Sequence, residues 1–257
     1  MTRPFTARSP IAIYDSGAGG IGLLQEVQRL LPAEQLLYFA DAANAPYGDR
    51  GHDALFALIT RQAARLLSKS KALVLACNTA TAVAAEGLRA AFPGRIIIGI
   101  EPALRPAVRR GDATTVWVLA TAATLSEARF LSLCHREGRG ARVIPIAAPG
   151  IVPLVEAGLA DSPAMQEYLS GLFAPYRALP PDAVVLGCTH FPFAKKAIQG
   201  VLGREIAFFD GNRGTARELR RRLLAAGLLA PKESIGRVVL TASDPCRLGL
   251  YRTLFGG

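Results

Sequence analysis

Ala72-Leu73-Val74-Leu75-Ala76-Cys77 and Ala183-Val184-Val185-Leu186-Gly187-Cys188 repeat one pattern, a short apolar run that closes on a cysteine. Runs of this kind read as strands buried on both faces, the form that parallel sheets take. Working outward from them, β-branched or apolar runs predict further strands near 11–14, 36–40, 96–99, 115–119, 143–146, 206–209 and 237–241, with the quoted pair at 72–76 and 183–187. Between strands, the stretches 21–31, 52–67, 79–92 and 125–137 space their apolar residues for one buried helical face. Strands alternating with such helices are βαβ units, so the chain is α/β with parallel sheets and helices on both faces. Nine strands suit one wide sheet or two of four or five. The repeated cysteine pattern favours two related halves, as do 11–16 and 116–121, each an apolar strand running into a small polar loop.

The 257 residues are ample for a hydrophobic core, and 51% hydrophobic with 19% charged residues is the composition of a globular protein. No apolar run approaches the roughly 20 residues of a membrane-spanning helix, and the N-terminus lacks a signal-peptide apolar region, so the expected location is the cytoplasm with no membrane partner. Four cysteines without a CxxC pair make neither a disulfide framework nor a recognisable zinc site. The net charge of +10, with basic residues crowded at 217–222, leaves nucleic-acid or acidic-partner binding as the lesser reading beside a solvated basic surface.

Gly17-Ala18-Gly19-Gly20-Ile21-Gly22 fits GxGxxG after a strand and before a helix, and Asp41 ends the next strand at the distance of a ribose-binding acid. A glycine turn at a helix N-terminus says that an anion is accommodated, whether phosphate or carboxylate. Asp15, just before the first glycine, would repel a pyrophosphate. A carboxylate beside an amide cradle suits a zwitterion, with Asp15 pairing an ammonium while Ser16 and backbone amides take a carboxylate.

Cys77 stands at the carboxyl edge of a parallel sheet, where open α/β folds bind ligands, and Asn78-Thr79-Ala80-Thr81 starts a helix whose N-terminus favours thiolate. Cys188 repeats the arrangement before Thr189, His190 and Phe191-Pro192. Two thiols at equivalent positions suit acid and base on opposite sides of one carbon, since a group that exchanges these roles needs a pKa near neutrality. Cys134 and Cys246 read as ordinary small hydrophobes. A metal site of Cys77, Cys188 and His190 lacks a fourth ligand, and a Cys-His acyl-transfer nucleophile leaves Cys77 unused.

DSGAGG at 15–20, NAPYG at 44–48, ACNTATAV at 76–83, IVPLVEAG at 151–158 and LGCTHFP at 186–192 resemble bacterial glutamate racemases in order and spacing, over nearly the whole chain. The resemblance implies two flavodoxin-like three-layer α/β/α domains related by pseudo-twofold symmetry, residues 1–100 plus 210–257 and residues 101–209, with the active site in the cleft. It implies Cys77 as the base toward D-glutamate and Cys188 toward L-glutamate, with neither pyridoxal phosphate nor metal. Asp15 and His190 would assist the two thiols, and Glu156 would orient His190. Substrate contacts would come from Asp15, Ser16, Tyr47, Gly48, Asn78, Thr79, Thr121, Thr189 and His190. One departure is Gly22, where many relatives carry Ser or Thr, and it could loosen the first helical turn.

The activity so implied is interconversion of L- and D-glutamate, supplying D-glutamate for peptidoglycan and hence cell-wall biogenesis and cell shape; a homodimer is a state that relatives often adopt. His190 points to glutamate, because aspartate racemases usually carry another residue there. The alternatives are a racemase of aspartate or another small acid, a basic DNA-associated binding protein, and a Rossmann dehydrogenase.

Overall fold

The strands of the computed structural model are β1 (Ile11–Asp15), β2 (Gln35–Ala40), β3 (Ala72–Leu75), β4 (Ile96–Gly99), β5 (Thr115–Ala120), β6 (Arg142–Ala147), β7 (Ala183–Leu186), β8 (Ala207–Asp210) and β9 (Arg237–Ala242). The structure describes residues 5–111, 114–138 and 140–256. All nine expected strands are present, and their ends agree with the sequence reading to within about two residues. They form two sheets in the orders β4-β3-β1-β2-β9 and β6-β5-β7-β8, and every pairing is parallel. Two compact units result: the chain up to Ile100 together with Asn212 onward, and Glu101–Gly211.

Both sheets are buried on two faces, which is why their central strands read as continuous apolar runs. In the first unit Ala12, Tyr14, Leu73 and Leu75 pack with Leu55, Ile59 and Leu66 of the helix His52–Leu67 and with Ala84 and Leu88 of the helix Asn78–Ala91. Ile11, Ile13, Ala72 and Val74 alternate with them and are equally inaccessible. The helix Ile21–Leu30 packs on Asn212–Ala225 and Leu248–Phe255. In the second unit Trp117, Leu119, Val184 and Leu186 face one cluster, and Val116, Val118, Ala183 and Val185 the other. Each such aliphatic side chain contributes roughly 1.5–3 kcal/mol by leaving water, so a truncation such as Leu75→Ala should cost about 2–5 kcal/mol.

One expected element differs. The stretch 125–137 is two helices, Ala122–Ser126 and Ala128–Glu137, separated by Glu127 in an extended conformation (φ −71°, ψ 136°). Leu125 and Phe130 are five positions apart, about 140° around a continuous helix, so one straight helix could not turn both inward. Thr121 starts the first helix earlier than the apolar pattern suggests, by accepting a hydrogen bond from Thr124 N at 3.2 Å. Gly22 leaves its helix intact, and it makes room for Asn212, whose Nδ2 would lie 3.1 Å from an added Cβ.

A buried ion pair is the main feature invisible to periodicity. Lys71 Nζ donates to Glu34 Oε2 at 2.5 Å, with the two side chains 0% and 2% exposed. It also donates to Ala7 O, while Glu34 Oε1 accepts from Ala230 N at 2.9 Å. Burial draws the Lys71 ammonium below its ordinary range, and the Glu34 carboxylate opposes that shift.

Candidate active site

The register of each sheet decides which side chains meet at its carboxyl edge. Tyr14 pairs with Leu75, so continuing the register two positions sets Ser16 opposite Cys77. Leu119 pairs with Leu186, which in the same way sets Thr121 opposite Cys188. Each sheet thus presents a cysteine and a hydroxyl residue at corresponding places, the physical content of the repeated sequence pattern.

In the first unit Cys77 is 6% exposed and caps the helix Asn78–Ala91. Its Sγ accepts from Ala80 N at 3.4 Å and from Ser16 Oγ at 3.6 Å. Both donors place partial positive charge where a thiolate would carry its negative charge, and the first-turn amides of the helix add to it. Asp15 is fully buried at the end of β1, with its Oδ1 accepting from Gly17 N at 2.8 Å. The glycine turn is held by Tyr38, whose hydroxyl donates to Gly17 O at 2.6 Å. Glycine at position 20 spares a close contact, since an added Cβ would stand 2.8 Å from Asp15 Cβ and 2.9 Å from Ala76 Cβ.

Asn78 and Thr79 are buried beside Cys77. Asn78 Oδ1 has no hydrogen-bond partner in the structure. A buried acceptor left unsatisfied costs about 1–3 kcal/mol, a penalty that an incoming donor such as an ammonium would remove. Tyr47 and Gly48 lie in a short 3-10 turn, Tyr47–Asp49. The Tyr47 ring turns inward and is 2% exposed. Its hydroxyl donates to Asp41 Oδ2 at 2.7 Å and is hydrogen-bonded to Tyr14. Asp41, which matched a ribose-binding acid by spacing alone, is fully buried, and its other oxygen accepts from Asn44 Nδ2 at 2.9 Å. Its carboxylate is committed to its own loop, and the dinucleotide reading of the glycine motif loses its acidic partner.

In the second unit Cys188 is 7% exposed and follows β7. Gly187 N donates to Leu119 O at 2.7 Å, and a Cβ there would come within 2.9 Å of that oxygen, so glycine lets β7 reach its neighbour. Cys188 Sγ lies 3.8 Å from His190 Nδ1, and His190 Nε2 lies 2.7 Å from Glu156 Oε1. With Glu156 Oε1 on Nε2, Nδ1 is the ring nitrogen that faces the sulfur. Thr189 and His190 are buried, whereas Thr121 is half-buried with its Oγ1 2.9 Å from Thr124 Oγ1.

Cys134 and Cys246 fall outside both groups; burial pushes the Cys134 thiol up, and Cys246 is exposed. Among the described residues no three His, Cys, Asp or Glu side chains converge as a metal site would require, and no helix is long and apolar enough to cross a membrane. Sequence reasoning passed over Tyr14. The available signal was a phenol in an otherwise apolar strand, which must find a partner when buried.

Strand-end thiols set against hydrogen-bonding neighbours in parallel α/β units suit proton-transfer chemistry, and comparison gives the class: the chain belongs to the Asp/Glu/Hydantoin racemase family, whose model it matches over residues 21–219. It is therefore an isomerase of that family. The relatives it is similar to include, more particularly, glutamate racemases. That of Clostridium perfringens (strain SM101 / Type A) is 40% identical over 216 residues, 84% of this chain and 83% of the relative. That of Herpetosiphon aurantiacus is 39% identical over 245 residues, 95% and 96% of the two chains. The crystal structure of glutamate racemase from Thermus thermophilus in complex with β-chloro-D-alanine superposes with a TM-score of 0.80 at 34% identity, covering 98% of this chain and 93% of that one.

Proposed function

We propose that this chain interconverts L- and D-glutamate by two-base proton transfer at the α-carbon, with Cys77 and Cys188 as the two bases. The observation that carries the reading is the pair of buried strand-end cysteines, each with a hydrogen-bonding partner at its sulfur. One thiolate removes the α-proton, and the other thiol delivers a proton to the opposite face, which inverts the centre and leaves the thiols with exchanged protonation states. Cys77 acts on D-glutamate and Cys188 on L-glutamate.

Asp15 and His190 assist their respective thiols, and Glu156 orients His190 through the 2.7 Å contact. The buried and unpartnered Asn78 Oδ1 supports an ammonium contact at that position. Ser16, Thr79, Thr121, Thr189 and the backbone of Tyr47 and Gly48 complete the set of substrate contacts. His190 favours glutamate over aspartate. The cellular role that follows is supply of D-glutamate for peptidoglycan in the cytoplasm.

The direct test is circular dichroism of L-glutamate incubated with dialysed, reduced protein in buffer without pyridoxal phosphate or added metal. The signal should decay to zero. A steady signal with folded protein, alongside decay of L-aspartate, would move the substrate to aspartate; a steady signal with both would overturn the reading.

A further inference from the structure

We propose that Asp41 and Tyr14 are positioning residues: a buried hydrogen-bond chain from Tyr14 through Tyr47 to Asp41 holds the Tyr47–Asp49 turn in the conformation that presents its backbone to substrate. The inference rests on the racemase reading for the role of the turn, and on geometry for the brace itself.

The direction of the chain follows from proton counting. An ionised carboxylate only accepts, so the Tyr47 hydroxyl gives its one proton to Asp41 Oδ2 at 2.7 Å. The contact between the two phenols must then run from Tyr14 to Tyr47. Burial first of all, with nearby Asp41 adding to it, pushes both phenols well above their ordinary range, so both stay protonated and the direction does not change around neutrality.

Asp41 also braces its own loop. Its Oδ1 takes Asn44 Nδ2 at 2.9 Å, its carbonyl takes Asn44 N at 3.0 Å, and its amide donates to Asp15 O at 2.9 Å. Asp41 therefore ties positions 44 and 47 through its carboxylate and the end of β1 through its amide. At the far end, Tyr14 belongs to the same buried cluster as Cys77 and Leu75. The chain joins the loop to the sheet edge that carries the thiol.

Apart from this hydrogen-bond chain, the loop is tied by Ala43 N, which donates to Ser243 Oγ at 2.9 Å on the exposed side. From Ala42 to Gly51, Tyr47 is the one buried residue among the described side chains. The turn is closed by Arg50 N donating to Tyr47 O at a long 3.3 Å, and Arg50 Nε adds a bond to Asn44 O at 2.8 Å on the exposed side. A 3-10 turn of three residues has no stability of its own. Its backbone position therefore depends on the Tyr47 side chain, whose ring packs in the buried cluster and whose hydroxyl is fixed by Asp41 and Tyr14. The hydroxyl is consumed inward, so Tyr47 meets substrate through its main chain.

The test combines kinetics with hydrogen exchange on Asp41→Asn and Tyr14→Phe in the full chain. Asp41→Asn replaces a charged acceptor with a neutral one and should raise the KM for glutamate about tenfold, with kcat within about threefold of wild type. Tyr14→Phe keeps the ring and the packing and should raise KM by a few fold. Amides of residues 44–50 should exchange faster in both variants, while those of β1 and β3 keep their protection. Should Asp41→Asn unfold, the isosteric Tyr14→Phe decides alone. An unchanged KM in folded variants, or a fall in kcat at constant KM, would overturn the proposal. Unchanged exchange over 44–50 in an active variant would refute the brace and leave the racemase reading standing. A wild-type protein that does not racemise glutamate would remove that reading and the substrate half of this one.

Discussion

Replacing Lys71 by Met should destabilise the first unit in a strongly pH-dependent way. The Lys71–Glu34 charges lie 2.5 Å apart with both side chains essentially inaccessible. At an effective dielectric of about 20 they attract by about 6–7 kcal/mol, but each ion gave up several kcal/mol of hydration on burial, so the intact pair adds little net stability. Removal of one partner is different, because Glu34 is then left with the Ala230 amide as its remaining support. Glu34 can escape by taking up a proton. Holding a carboxyl neutral at pH 7 against an unfolded pKa of about 4.3 costs about 1.4 kcal/mol per unit, or about 3.7 kcal/mol, which caps the loss. That agrees with the roughly 3–5 kcal/mol typical of broken buried pairs. In the variant the folded-state pKa of Glu34 lies above its unfolded value, so the folded state binds the extra proton and stability falls as pH rises from about 4.3 towards the folded value. The loss should therefore be about 1 kcal/mol at pH 5 and approach 4 kcal/mol at pH 7. At pH 7 this is a fall in Tm of roughly 7–15 °C. Thermal and urea unfolding at the two pH values measure it, and adding Glu34→Leu should recover most of the loss by removing the orphaned carboxyl. Equal losses at pH 5 and 7, or no recovery in the double variant, would refute the argument.

Cys77→Ser and Cys188→Ser should each lower glutamate racemisation by at least about a hundredfold, because an alcohol cannot take the thiolate's part near neutrality, whereas Cys134→Ser should leave turnover largely intact; polarimetry separates them. Asp182 accepts from Thr114 N, Thr114 Oγ1 and Thr115 N at 2.8–3.0 Å, and these bonds hold its carboxyl below the usual range. Its side chain is 35% exposed, so Asp182→Asn should cost only about 1–2 kcal/mol. Because the folded pKa is the lower one, that stabilisation is present above about pH 4 and is lost as pH falls through the folded value, so wild type and variant should converge in acid unfolding. Gly20→Ala must push aside Asp15 Cβ and Ala76 Cβ, and should cost about 1–3 kcal/mol by thermal unfolding while also slowing racemisation.

The central strands were legible because a parallel sheet covered on both faces buries every position of them, and nothing but a short apolar run satisfies that demand. The break at Glu127 was not, since a glutamate on the outer face of a helix and a glutamate in an extended link look alike to an apolar count. The Lys71–Glu34 pair was not legible for the same reason: periodicity registers where apolar side chains go and is silent on a charge buried with its partner, here 37 positions away. Asp41 shows the limit of spacing. Its place at a strand end was correct, but spacing says nothing of which way a carboxylate turns, and Asn44 and Tyr47 turn this one inward.

For the two cysteines the same distinction has a mechanistic consequence. Sequence pattern set them at equivalent sheet edges, and the register sets Ser16 and Thr121 at equivalent places beside them. Yet the polar surroundings of the two sulfurs are unlike. Ser16 Oγ and the Ala80 amide donate to Cys77, both of them groups that do not titrate near neutrality. Cys188 has an imidazole 3.8 Å from its sulfur, itself hydrogen-bonded to a carboxyl group, while Thr121 Oγ1 accepts from the helix that it caps. The Cys77 sulfur is thus met by a hydroxyl and an amide and the Cys188 sulfur by an imidazole, so the two thiols are held by groups of different chemistry. In the proposed reaction the two directions must share one kcat/KM, because the enantiomers are equal in free energy, so this asymmetry should appear as different kcat and KM values for D- and L-glutamate, and the likeness of the two sheet edges does not extend to the chemistry they carry.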